Sequence, residues 1–103
     1  MSFMLVKWIH DFPGEPVLLY SEIDEERCEV RKVDMFRDGT ASYADRNHHT
    51  GSTRLGDDPV PTLAEIGRQK EFQPQEISEK EFEDVWRWAV SSGKYVGAGK
   101  NRV

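Results

Sequence analysis

The chain has 103 residues, of which 37% are apolar and 32% charged, and its formal net charge is −5. That length suits one domain, which buries roughly 65% of its unfolded surface, and three Trp, three Tyr and five Phe are too many aromatics for a disordered chain. The acidic balance excludes a general nucleic-acid binder, because phosphate binding needs clustered Lys and Arg.

The N-terminus, Met1-Ser2-Phe3-Met4-Leu5-Val6-Lys7, lacks a basic leader and a long apolar stretch, so no signal peptide is expected. No run approaches the ~18 apolar residues of a membrane span. Cytoplasmic residence is the default expectation. A first strand is predicted over about residues 3–11. Phe3, Leu5 and Ile9 point one way, with Lys7 among them; Met4, Val6 and Trp8 point the other, followed by His10. Both faces are apolar, which predicts a central or doubly covered strand. Phe12-Pro13-Gly14-Glu15-Pro16 breaks pairing, since proline lacks the ladder donor.

A second strand follows over about 17–23, with Val17, Leu19 and Ile23 on one face and Leu18, Tyr20 and Glu22 on the other. Asp24-Glu25-Glu26 is a turn. Cys28 is the only cysteine, so an intrachain disulfide and a multi-thiolate metal site are excluded. In a third strand, over about 27–36, the alternation slips between Cys28/Val30 and Val33/Met35. Either a bulge near Arg31-Lys32 restores the face, or the strand has mixed faces. Asp38-Gly39 signals a hairpin into a fourth strand over about 40–46.

Residues 47–61 read as one long irregular connection, and such loops are often functional. Thr62-Leu63-Ala64-Glu65 is a capping box opening a short helix to about Gln69. Residues 72–77 look extended but interrupted by Pro74. Ser78-Glu79-Lys80-Glu81 is a second capping box, with Ile77 and Phe82 placed to close a hydrophobic staple. The helix it opens, to about Val90, carries Phe82, Val85, Trp86 and Ala89 on one face. The expected fold is therefore α+β: a four-stranded antiparallel meander over about 3–46, with two C-terminal helices packed on one face. One domain is expected over 1–92. Residues 93–103 hold Lys94, Lys100 and Arg102 and no acid, which predicts a flexible basic tail. Without those three bases, the first 92 residues carry a net −8. That suits a partner with a basic surface.

No constellation specifies catalysis. His10, Asp11 and Glu22 are a candidate acid–base cluster, but neighbours on a strand point to opposite faces. His48 and His49, with Asp45, Asp57 and Asp58, are candidate metal donors without a fixed ligand spacing. Gly51-Ser52-Thr53-Arg54-Leu55-Gly56 is a candidate anion loop that lacks the Gly-Lys-Ser/Thr ending of a phosphate loop. No catalytic residue, metal or cofactor is assigned. If both helices cover the face of Leu5, Ile9 and Leu19, then Trp8, His10, Tyr20, Glu22 and Arg31 form an open aromatic and charged surface, with Tyr43 beside it. Otherwise Trp8 and Tyr20 are core. Trp, Tyr and Arg are the types enriched at interface hot spots.

Three segments carry a family resemblance. They are Val6-Lys7-Trp8-Ile9-His10-Asp11-Phe12-Pro13 with Glu15-Pro16-Val17-Leu18-Leu19-Tyr20-Ser21-Glu22, then Glu29-Val30-Arg31-Lys32-Val33 with Phe36-Arg37-Asp38-Gly39, and Thr50-Gly51-Ser52-Thr53-Arg54-Leu55-Gly56. Over residues 6–90 the chain resembles a family of short bacterial stand-alone proteins of unassigned function. Such small acidic domains include immunity proteins of polymorphic toxin systems. The resemblance implies a non-enzymatic inhibitor that binds a cognate toxin and blocks its active site. A toxin acting on NAD or nucleic acid needs a basic cleft, which an acidic plug fits. The expected binding residues are Trp8, His10, Tyr20, Glu22, Arg31, Tyr43, His48, His49, Arg54, Asp57 and Asp58. The alternatives are a small-ligand sensor or adaptor, and a small histidine-dependent enzyme.

Overall fold

A computed structural model describes residues 1–92; the expected basic tail lies outside the described residues. The elements are β1 (Ser2–Trp8), β2 (Leu18–Ile23), β3 (Glu29–Met35), β4 (Ala41–Ala44), α1 (Leu63–Ile66), β5 (Phe72–Glu76) and α2 (Glu79–Ser92). The strands form one antiparallel sheet in the order β4-β3-β2-β1-β5. The α+β class and the meander of the first four strands agree with expectation.

The sheet has five strands, not four. The extra strand is the extended segment after α1, which runs through Pro74 without interruption. Ile9 N donates to Glu71 O and Ile77 N to Phe3 O, so alternate residues of β5 turn their backbone groups toward β1. Pro74, opposite Val6, falls on the outward-turned set. Its missing N–H costs no ladder bond there and blunts an open edge.

The two helices lie on opposite faces, not on one. Phe3 and Met4 are neighbours on β1 and point to opposite sides. Phe3 packs with Ile77 and Phe82 at the start of α2, whereas Met4 packs in a cluster with Leu63 and Ile66 of α1. This is why β1 is apolar on both faces. The α2 face is completed by Tyr20, Val33, Ala41 and Tyr43, against Val85, Trp86 and Ala89. The other face carries Val6, Leu19 and Ile23 under Val60 and α1. A helix of four residues cannot cover a five-stranded sheet. The 45–61 connection therefore crosses the rest of that face, tied by Val60 N to Arg27 O at 2.6 Å and Gly56 N to Glu29 Oε1 at 2.7 Å.

The bulge sits slightly earlier than expected. Glu22 pairs with Arg31 and Ile23 with Glu29, leaving Val30 as the extra residue. That single insertion turns Arg31 and Val33 toward α2 and leaves Lys32 and Asp34 on the α1 face. Both capping boxes form: Thr62 and Glu65 bond reciprocally, as do Ser78 and Glu81. At the β3–β4 hairpin Gly39 has φ 90°, and Asp38 Oδ1 accepts from Thr40 N at 3.0 Å.

Candidate functional site

Most of the expected surface is covered. Tyr20, Glu22, Arg31 and Tyr43 lie beneath α2. Arg31 donates to Glu22 Oε1 at 2.5 Å and to both oxygens of Glu83 at 2.5 and 3.2 Å. Its guanidinium carbon lies 4.9 Å from the Phe82 ring centre and 5.0 Å from that of Trp86. Burial opposes the Arg31 charge, but the bonds to Glu83 and Glu22 outweigh it and hold the guanidinium still more firmly protonated. The Tyr43 ring meets Trp86 edge-on at 5.2 Å. Burial, then the Glu81 charge, raises the Tyr20 phenol above its ordinary value. These four residues hold α2 to the sheet, Glu22 buried and the other three half-buried. The expectation failed because the helices divide between the faces.

Trp8 and His10 sit elsewhere, at the sheet end where β1 runs into the β1–β2 loop. The Trp8 ring lies 4.1 Å from His10, 5.8 Å from Phe72 and 6.1 Å from Phe12. His10 Nε2 donates to Pro16 O at 2.8 Å, and its Nδ1 accepts from Phe12 N at 2.9 Å. Both ring nitrogens are thus engaged in shaping the loop. The bonded Glu22 lies under α2, so the acid–base cluster of His10, Asp11 and Glu22 is not assembled.

The remaining expected residues are strung along the connection. Asp45 Oδ1 accepts from the backbone N–H of Asn47 and His48 at 2.8 and 2.7 Å. After some opposition from burial, those bonds keep the Asp45 carboxyl below its ordinary value. His48 and His49 are exposed, and Arg54 closes its own loop on Gly51 O and Thr53 O. Asp57 and Asp58 are exposed near the Glu29 end, opposite the β1–β2 loop. Among the described residues no three His, Cys, Asp or Glu side chains converge to hold a metal ion.

Around the β1–β2 loop the structure assembles a cleft of about 690 Å³, lined among others by Phe12, Pro13 and Phe36 and by Asp11, Glu15 and Asp38. Phe12 is 59% exposed despite stacking on His10 at 5.3 Å. The loop is well fixed: Trp8 N donates to Val17 O, Arg37 Nη2 donates to His10 O, and Gly14 makes the turn at φ 82°. Among the described residues Arg37 is the one cation lining the cleft, against three carboxylates. Neither Phe12 nor Phe36 was among the residues expected. The only sequence signal was a large apolar residue inside a proline-rich turn.

Behind this cleft lies a buried polar chain. Ser42, which lines the cleft, hydrogen-bonds Thr53, and Thr53 Oγ1 donates to Asp34 Oδ2 at 2.8 Å. Asp34 Oδ1 is buried and has no partner among the described residues. Burial pushes the Asp34 carboxyl above its ordinary value, opposed by Lys32 and the Thr53 bond. The unfolded chain therefore releases this proton at lower pH than the folded one. Stability falls as pH rises from the ordinary carboxylate range to the folded value, and stays lower above it. Asp34→Asn should remove that loss. We expect a gain of about 1 kcal/mol near pH 7, closing at about pH 3. Thermal melts at both pH values check it, and destabilisation at neutral pH would show that the charge is compensated.

A family model described as "Domain of unknown function (DUF6881)" matches residues 2–91. Among curated proteins and among solved structures, no significant match to the chain is found.

Proposed function

The chain belongs to the DUF6881 family, whose description names no activity, and on the geometry above we propose that it is a protein-binding module, an immunity-type inhibitor that binds and blocks a cognate bacterial toxin. One observation supports this most: an exposed aromatic side chain on a fixed loop, in a cleft whose rim is acidic. Phe12 is mostly exposed, and Phe36, Asp11, Glu15 and Asp38 line the same cleft. Apolar walls with a carboxylate rim accept an arginine or lysine, whose stem packs on rings while its charge meets the acids. A toxin that binds NAD or nucleic acid carries such cations in its active-site cleft. Pre-ordering of the loop by His10 and Arg37 lowers the entropic cost of binding.

The test is co-expression with the product of the adjacent gene. The neighbour should be toxic alone, harmless with this protein, and co-purify with it. A harmless neighbour, or one that never binds, sinks the reading. Phe12→Ser should weaken the complex by about 2 kcal/mol or more, the range of an aromatic hot spot. Its melting temperature should hold, because the side chain is mostly in water. Reversing Asp11, Glu15 and Asp38 to lysine should slow association and flatten its salt dependence.

A further inference from the structure

A second cleft opens on the α1 face, between the short helix and the middle of the sheet. Its volume is about 450 Å³. We propose that it binds a small carboxylate with an apolar tail. This goes beyond the inhibitor reading and does not depend on it.

The cleft exists because α1 is too short. The four residues of α1 cover the β1–β5 side, and the chain before it crosses nearer β3. Between them Met4, Val6 and Leu19 form an apolar floor, with Ile66 and Phe72 as one wall. A mostly apolar cleft of several hundred Å³ with a few placed polar groups is the usual form of a small-ligand site.

The charges at its mouth select the sign of the ligand. Glu29, Glu65, Lys32 and Arg68 all line it. Each acid already has one oxygen engaged. Glu65 Oε1 accepts from Thr62 N at 2.8 Å and from Thr62 Oγ1 at 3.1 Å in the capping box. Glu29 Oε1 accepts from Gly56 N at 2.7 Å and is 3.7 Å from Lys32 Nζ, a loose ion pair. The Arg68 guanidinium, by contrast, makes no ion pair or side-chain hydrogen bond among the described residues. Lys32 keeps donors to spare, since an ammonium has three. Arg68 and Lys32 thus offer N–H donors above an apolar floor. A carboxylate head with an alkyl or aryl tail satisfies both.

Titration calorimetry and amide chemical-shift mapping with octanoate test this, with 1-octanol as the uncharged control. Octanoate should bind saturably, with shifts confined to β1, β2, β3, residues 61–69 and the start of β5. Octanol should bind at least about tenfold more weakly, the loss expected when a charge-assisted contact is missing. The double variant Lys32→Gln/Arg68→Gln should lose about tenfold for octanoate and nothing for octanol. Leu19→Trp should fill the cleft and abolish binding of both, whereas Phe12→Ser should leave binding unchanged. Equal affinity for acid and alcohol, absence of saturable binding, or shifts centred on Phe12 would each overturn the proposal. None of those outcomes touches the toxin test, which reads the other cleft.

Discussion

Phe82→Ala is expected to destabilise the fold by about 3–5 kcal/mol, the cost of deleting a buried aromatic ring and leaving a cavity. The side chain is fully buried, 5.5 Å from the Phe3 ring and 6.3 Å from Trp86, in a stack that the Arg31 guanidinium joins. It is the first buried residue of α2 and closes the staple with Ile77. No neighbouring residue can fill its place, because Phe3 is held in a central strand. Small domains are stable by only about 5–15 kcal/mol, so roughly a fifth or more of the total is at stake. Urea unfolding should show a lower midpoint with little change of slope. Phe82→Leu should cost much less, since most of the volume remains. If alanine costs under about 1 kcal/mol, α2 is not docked as described. In Phe82→Ala, amide protection should be lost first in α2 and last in β1 and β2, because β1 keeps its second apolar face in the Met4, Val6 and Ile23 cluster.

That two-faced burial of β1 separates what was legible in the sequence from what was not. Local signals read well. Thr62 with Glu65 and Ser78 with Glu81 each specify a helix start through side chains that reach back to backbone donors, so their geometry is written in four residues. The same holds for Asp38-Gly39. Phe82, Val85, Trp86 and Ala89 announce a buried helix face by spacing alone. What failed was long-range. Pro74 reads as an interruption because a lone sequence does not say whether a strand is at an edge, where an outward-turned proline is harmless. The face assigned to each helix depended on where the 62–66 helix docks, and its short apolar pattern, Leu63 and Ile66, does not specify a partner.

The same error displaced the site. Tyr20, Glu22 and Arg31 share one face as parity required, but that face carries α2. Trp8 and His10 belong to the other parity and lead to Phe12, which the sequence offered only as a turn residue. Asp34, on the α1 face of β3, carries no local signal of burial. Thr53, arriving from a connection of no recognisable motif, hydrogen-bonds it. Cover supplied by a distant loop leaves no trace in local periodicity.

Replacing Arg31 by methionine is expected to cost about 3 kcal/mol near neutral pH, because it leaves a partly buried carboxylate without its cation. Glu22 is only 11% exposed at its side chain, and its ion-pair partner is Arg31. Lysine should not substitute well, because only the planar fork can serve Glu22 and Glu83 together and lie over two rings. Part of the loss should return in Arg31→Met/Glu22→Gln, where no charge is stranded. The pH dependence separates the ion pair from simple packing. The Arg31 hydrogen bond, only partly opposed by burial, holds the Glu83 carboxyl below its ordinary value. The unfolded chain therefore takes up that proton at higher pH than the folded one. The stabilisation is full above the ordinary carboxylate range and is lost as pH falls through the folded value. In the methionine variant Glu83 has no such bond. The gap between wild type and variant should thus be widest near pH 7 and narrow by at least half at about pH 3. Urea midpoints at the two pH values decide it. A gap that does not change with pH would mean that Arg31 acts through its contact with Phe82 and Trp86 rather than through its charge.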